Sequence, residues 1–139
     1  MSAKHLISIR DWSGADFVEL LRLSAEMKRS ADAYREALRG KTLGMIFEKP
    51  STRTRVSFEV GIYQLGGVGL YLSGSDLQLG RGETIADTAR VLSRYVDAVM
   101  ARLGAHADVV ELARHATVPV VNGLSDLLHP CQALADYFT

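Results

Sequence analysis

Four short apolar runs alternate with stretches of helical periodicity along this 139-residue chain. The runs cover residues 42–47, 68–72, 97–101 and 118–121, and apolar side chains recur at helical spacing in the segments between them. Strands that alternate with helices of this length favour right-handed crossovers between parallel strands. The sequence therefore predicts an α/β fold, a four-stranded parallel sheet with helices on both faces.

Capping residues and glycines indicate where the helices begin and end. Ser13 and Asp16 form a capping-box pattern at the start of the first helical region, and Gly40 marks its end. The glycine pair at 66–67 closes the second helix, and Pro130 suits the first turn of the last one. The remaining helices are expected near residues 84–92 and 105–116.

The chain reads as one domain over residues 1–139. No repeat, low-complexity tract or linker divides it, and 47% hydrophobic with 23% charged residues is the composition of an ordinary globular domain. The last helical pattern still runs at Thr139 without a glycine, asparagine or proline terminator. We therefore expect a further domain to follow this helix.

The charge balance excludes binding driven by a global electrostatic field. Sixteen Lys and Arg balance sixteen Asp and Glu, so no field would recruit nucleic acid or an anionic membrane. No apolar run approaches the roughly 20 residues that span a bilayer. The single cysteine, Cys131, excludes an internal disulfide and a cysteine-based zinc site. We expect a cytoplasmic protein without a metal, in which any anion site is local.

Polar side chains, with donors among them in each case, follow all four apolar runs, where α/β sheets bind their ligands. In chain order these are Ser51, Thr52, Arg53, Thr54 and Arg55, then Gln78, Arg81 and Glu83, then Arg102, and finally His129 and Gln132. The first group opens a helix, so backbone N–H groups, hydroxyls and guanidinium groups coincide there. This segment is predicted to bind a phosphate.

Two common nucleotide signatures are absent. Gly40-Lys41-Thr42 resembles the end of a P-loop, but Arg35 occupies the position of its first glycine and a strand follows where a helix is required. A dinucleotide pattern begins at Gly67 but has Leu72 in place of its third glycine. We expect neither a nucleotide nor another cofactor.

A longer motif resembles a known family. The segment FEKPSTRTRVSFE at residues 47–59 closely resembles the carbamoyl-phosphate signature of the aspartate and ornithine carbamoyltransferases. Matches to the same family follow in the same order at residues 77–83, 87–94, 100–102 and 129–134. Lys49, Gln78 and the run 87–92 resemble the ornithine branch. Aspartate enzymes typically carry a lysine in the second loop, near the place of Arg81.

The resemblance implies a cofactor-free transfer of the carbamoyl group of carbamoyl phosphate to the δ-amine of L-ornithine, which gives L-citrulline and phosphate. By the same resemblance, this chain is the carbamoyl-phosphate-binding domain, and L-ornithine binds to the missing domain. The implied phosphate ligands are Ser51, Arg53 and Thr54, with Thr52 and Arg55 in support of the loop. The residues implied to reach the phosphate or the carbamoyl group, and to be catalytic, are Arg102, His129 and Gln132. Gln78 belongs to a loop that reaches the neighbouring subunit of a homotrimer in the family.

Two alternatives stay open at this stage. The aspartate branch shares the donor site and differs in the acceptor. A protein of another class, a non-catalytic anion-binding or trimer-forming domain, would show the same motif without turnover. Outside the motif, Glu83 and Asp87 are interpreted as acids near a helix start, and Cys131 as a buried apolar residue.

Overall fold

The computed structural model describes residues 4–77, 79 and 82–139. Its sheet has four parallel strands in the order β2-β1-β3-β4, with bounds β1 Thr42–Phe47, β2 Val68–Ser73, β3 Ala98–Arg102 and β4 Val120–Leu124. The described residues form five α-helices, α1 Gly14–Arg29, α2 Thr52–Gln64, α3 Ile85–Leu92, α4 His106–His115 and α5 Pro130–Phe138. The predicted α/β fold with its parallel sheet is confirmed.

The central strand β1 is buried on both faces. Its residues from Leu43 to Phe47 are all buried, which explains why it reads as a continuous apolar run. Successive side chains of a strand point to opposite faces. Met45 and Phe47 accordingly pack with Ile62 of α2, whereas Ile46 packs with Val109 of α4. The sheet therefore lies between helices on its two faces, as the sequence predicts.

The register of the strands aligns their carboxyl ends at one edge of the sheet. Phe47, the last residue of β1, pairs with Arg102, the last residue of β3. Arg102 in turn pairs with Leu124, the last residue of β4, after a register shift between Ala101 and Arg102. The segments that leave these three strands consequently begin side by side.

The first helix begins where the sequence predicts and ends earlier. Asp16 N donates to Ser13 Oγ at 3.1 Å and Ser13 N donates to Asp16 Oδ2 at 3.2 Å, so the capping box is confirmed. Hydrogen bonds from Lys4 and Ser13 lower the pKa of Asp16 to about 2. The helix stops at Arg29 because the backbone of Ser30 leaves helical angles, and a short 3₁₀ turn follows at Ala31–Tyr34. The prediction that the helical region continues to Gly40 is therefore wrong beyond Arg29.

The fourth strand extends beyond its predicted end. Asn122 and Gly123, which follow the predicted run 118–121, lie inside β4. The Asn122 side chain is fully buried, and its Nδ2 donates to the carbonyl oxygen of Ile7 at 3.1 Å. Leu6 forms a parallel bridge with Val121, so the N-terminal segment adds backbone hydrogen bonds beside β4. These partners lie more than a hundred residues away in sequence, so the local pattern does not indicate the longer strand.

Substitutions at two glycines of the first crossover, which joins β1 to β2 through α2, should have opposite effects on stability. Gly66 has a φ of 90°, and a Cβ atom there would lie 2.7 Å from the carbonyl oxygen of Arg35. Gly61 lies inside α2, and a Cβ there meets no described atom within 4 Å. We expect Gly66→Ala to lower the free energy of unfolding by at least about 1 kcal/mol. Gly61→Ala should raise it by up to about 1 kcal/mol.

Urea unfolding of both variants and the wild-type chain measures these changes. The packing argument is contradicted if Gly66→Ala is as stable as the wild-type chain. It is also contradicted if the two variants shift stability in the same direction.

Candidate anion-binding site

The N-terminus of α2 faces the carboxyl edge of the sheet directly after β1. Ser51 is the N-cap in extended conformation, and its side chain makes no capping hydrogen bond among the described residues. Arg55 N donates to Ser51 O at 3.1 Å, which closes the first turn. The N–H groups that precede it have no intrahelical acceptor, and they carry the positive end of the helix dipole. An anion at this end would meet both N–H donors and the Ser51 hydroxyl.

Arg102 connects the end of β3 to this helix. Its Nη1 donates to Thr54 Oγ1 at 2.8 Å, although the two residues lie 48 positions apart. Both residues are half-buried. The bond uses one of the five N–H groups of the guanidinium. The structure thus brings together one predicted site residue after β1 and the one after β3.

His129 lies at the N-cap of α5, within electrostatic reach of Arg102. Burial lowers the pKa of His129 below its ordinary value of 6.5, and the positive charge of Arg102 lowers it further, partly opposed by Asp136. The imidazole is therefore neutral near pH 7. Its Nδ1 is buried without a hydrogen-bond partner among the described residues. A neutral imidazole offers one N–H donor to a ligand.

The compact turn before His129 is held by His106, a residue to which the sequence analysis assigns no role. Ser125 Oγ accepts from Leu128 N at 3.1 Å and lies 2.8 Å from His106 Nδ1. His106 N also donates to Asp126 Oδ1 at 2.9 Å. His106 thus links the start of α4 to the turn that carries His129. Its partners lie 19 and 20 positions along the chain, and no local motif signals the contact.

The other predicted site residues are placed less convergently. Thr52 and Arg53 are exposed in the first turn of α2. Gln132 lies one turn after His129 on α5, but its Nε2 donates to Asp136 Oδ1 at 2.9 Å and is thereby engaged within the helix. Two residues of the predicted second loop, Gln78 and Arg81, lie outside the described residues.

A cavity of about 250 Å³ lies between the exits of β1, β3 and β4. Its lining combines two cations with two carboxylates and includes Glu48, Lys49, Arg102, Gly104, Ser125 and Asp126. A larger cavity of about 550 Å³ lies at the opposite end of the strands, where Leu43, Phe58 and Ile62 make it mainly apolar. Arg102 is the one predicted site residue in the lining of the smaller cavity, which does not include Ser51–Thr54, His129 or Gln132. His129 lines a separate cavity of about 190 Å³ with Ser8 and Arg10.

In the part of the chain that the structure describes, no group of three or more His, Cys, Asp or Glu side chains is arranged to hold a metal ion. None of the described helices has the length and apolar character needed to traverse a bilayer.

Fold and site together describe an α/β domain whose carboxyl edge gathers cationic and hydroxyl donors. Residues 4–139 match the family model "Aspartate/ornithine carbamoyltransferase, carbamoyl-P binding domain". The chain belongs to this family.

Similar proteins carry the name of the ornithine branch. An ornithine carbamoyltransferase from Thermococcus kodakarensis is 58% identical over 100% of this chain and 45% of its own length. One from Methanothermobacter thermautotrophicus is 63% identical over 98% of this chain and 44% of its own length. The structure of the Pyrococcus furiosus enzyme superposes with a TM-score of 0.93 at 57% identity, and covers 99% of this chain and 44% of that chain. The chain thus spans less than half the length of the curated relatives it matches.

The lowered pKa of His129 predicts a pH dependence of stability. Below the unfolded-state value of about 6.5, the unfolded chain takes up a proton that the folded chain resists. The free energy of unfolding should therefore fall as the pH drops below this value. Because His129→Gln removes this group, the variant should lose less stability than the wild-type chain between about pH 7.5 and about pH 5.5.

Urea unfolding at both pH values measures this difference. His5, whose pKa is also lowered by burial, contributes a separate share that His5→Gln removes. Equal losses of stability in His129→Gln and in the wild-type chain would show that folding does not keep His129 neutral.

Proposed function

We propose that this chain is the carbamoyl-phosphate-binding half of an ornithine carbamoyltransferase. The hydrogen bond from Arg102 Nη1 to Thr54 Oγ1 carries the proposal, because it joins two segments of the family motif at one edge of the sheet. The names of the relatives support ornithine as the acceptor. Aspartate is the alternative acceptor, and a purely anion-binding role is the alternative for the isolated chain.

The proposed phosphate site uses the first turn of α2. Ser51, Arg53 and Thr54 would donate hydroxyl, guanidinium and backbone N–H groups to the phosphate oxygens, and Thr52 would support this turn. A phosphate carries between one and two negative charges at neutral pH, so several donors with positive charge are needed for one small ligand. Guanidinium forks match phosphate geometry especially well.

The proposed reaction needs no redox chemistry and no cofactor. The neutral δ-amine of ornithine attacks the carbamoyl carbon, and a C–N bond forms as negative charge develops on the carbamoyl oxygen. The C–O bond to phosphate then breaks, phosphate leaves with the bonding pair, and the amine releases a proton. Arg102 and His129 would donate to the carbamoyl oxygen, where loss of one donor commonly costs about 2.7–4 kcal/mol.

Gln132 would join the site through its amide. One N–H of its Nε2 donates to Asp136 Oδ1 on the same helix. A glutamine amide has a second N–H and a carbonyl oxygen, so Gln132 can contact the carbamoyl amide with this bond in place.

The acceptor half of the site is proposed to lie outside this chain. Residues 1–139 form the donor domain in this proposal, and the remaining length of the relatives supplies the ornithine-binding domain. The isolated chain would bind carbamoyl phosphate without turning it over. A cytoplasmic location belongs to the same proposal, since a chain with the single Cys131 has no internal disulfide and suits a reducing compartment.

Calorimetric titration with carbamoyl phosphate tests the proposed site. Arg53→Ala and Arg102→Ala should each weaken binding about tenfold or more, because each removes a charged hydrogen-bond donor. Arg35→Ala is the matched control, since Arg35 is 73% exposed and pairs with Asp32 elsewhere on the surface. Equal affinity of the wild-type chain, Arg53→Ala and Arg102→Ala would defeat the assignment.

A homotrimer with shared sites is the second part of the proposal. Exposed apolar side chains lie along α2 and the edge strand β2: Val56, Val60, Tyr63, Val68 and Leu70. An apolar patch beside a sheet edge is a surface that association commonly covers. The segment that contains Gln78 and Arg81 leaves this same strand, which supports the expectation that these residues reach a neighbouring site.

Sedimentation equilibrium measures the proposed association. The wild-type chain should have three times its 15.2 kDa mass, and Tyr63→Asp should shift it toward the monomer. Tyr95→Asp is the matched control, because Tyr95 is 81% exposed and lies away from the α2 and β2 patch. A monomeric wild-type chain, or equal effects of the two variants, would contradict this association surface.

A further inference from the structure

Glu48, the first residue after β1, lies where three strand exits meet. Its backbone N–H donates to the carbonyl oxygen of Arg102 at 3.0 Å, and its Oε2 accepts a hydrogen bond from Gly104 N. On the other side, Gly74 N donates to Phe47 O at 2.7 Å. We call the two hydrogen bonds of Glu48 to the β3 exit the Glu48 bridge. This bridge fixes the backbone at the carbonyl group of Arg102 and at the N–H group of Gly104.

Two glycines allow Glu48 to take this position. A Cβ atom at Gly104 would lie 3.1 Å from Glu48 Oε2, and a Cβ at Gly74 would lie 3.1 Å from Glu48 Cα. Both distances are closer than ordinary van der Waals contact between carbon and its neighbours. A side chain at Gly74 would therefore press on the Glu48 backbone, and one at Gly104 would displace the Glu48 carboxylate.

A carboxylate at this place opposes the ligand that the site is proposed to bind. Glu48 lines the same cavity as Lys49 and Arg102, and a negative charge there repels an anion. Glu48 can consequently help the site by positioning other residues, and not by attracting the ligand. The carboxylate accepts a backbone N–H, and an acceptor of the same shape without the charge would do the same.

We propose that Glu48 is a positioning residue for the anion site, which acts through Arg102. The Glu48 bridge holds the β3 exit against the β1 exit, so that the Arg102 guanidinium reaches Thr54 at the N-terminus of α2. This inference rests on the proposed function of the site. Glu48 donates no hydrogen bond to the ligand in this proposal. It determines whether the Arg102 guanidinium lies beside the N-terminus of α2.

Calorimetry with carbamoyl phosphate and with inorganic phosphate tests the proposal. Glu48→Ala should weaken binding of both about tenfold, which corresponds to the loss of one charge-assisted hydrogen bond. Glu48→Gln keeps an acceptor for Gly104 N. Its affinity for both anions should be no more than about threefold weaker than that of the wild-type chain. Glu36→Ala is the control, because Glu36 is a 71% exposed carboxylate paired with Arg39.

A mutant cycle separates positioning from general stabilisation of the fold. If Glu48 acts through Arg102, Glu48→Ala should weaken binding in the wild-type background and have little further effect in the Arg102→Ala background. A merely structural role would weaken binding equally in both. Amide hydrogen exchange gives a ligand-free readout: Gly104 should exchange faster in Glu48→Ala and not in Glu48→Gln.

The outcomes distinguish this inference from the proposed function. If the wild-type chain binds neither anion, the proposed function fails, and the positioning role fails with it. If the wild-type chain binds and Glu48→Ala binds equally well, only the positioning role is overturned. An unchanged exchange rate of Gly104 in Glu48→Ala, or equal losses in both backgrounds of the cycle, overturns it as well.

Discussion

Parallel pairing of β1 with β3 is the constraint on which the rest of the structure depends. It places Phe47 beside Arg102, so that the loop into α2 and the end of β3 leave the sheet together. Parallel strands need crossovers, and here α2 and α3 provide them while burying the two faces of the sheet. The Arg102–Thr54 hydrogen bond follows from this register, because a shift of the pairing would separate the guanidinium from the helix N-terminus.

Local charge, and not net charge, determines the electrostatics of this edge. The chain is formally neutral, and Arg102 and Lys49 lie with the N-terminus of α2 at one end of the sheet, beside the carboxylates of Glu48 and Asp126. The positive charge of Arg102 lowers the pKa of His129, after the larger effect of burial. A bound anion would offset part of that positive charge, so ligand binding and the protonation of His129 are coupled by ordinary electrostatics.

Sequence reasoning succeeded where the determinants are local and failed where the partner is distant. Periodicity and capping residues predicted the strands, the sheet type and the start of α1 at Ser13, because these depend on nearby residues. Asn122 lies beyond the predicted strand and is a buried strand residue in the structure, where the distant Ile7 accepts its hydrogen bond. In the site, the motif indicated Arg102, whereas the bond of Gln132 to Asp136 and the contact of His106 with Ser125 required the fold.

The most direct measurement of the central claim is an NMR titration of the chain with carbamoyl phosphate, followed by amide and arginine side-chain signals. The account expects the largest shifts at the backbone amides of Arg53 and Thr54 and at the guanidinium of Arg102, with one common dissociation constant. Shifts centred on the apolar cavity near Phe58 and Ile62, or different dissociation constants for the helix N-terminus and Arg102, would contradict a single anion site at the carboxyl edge.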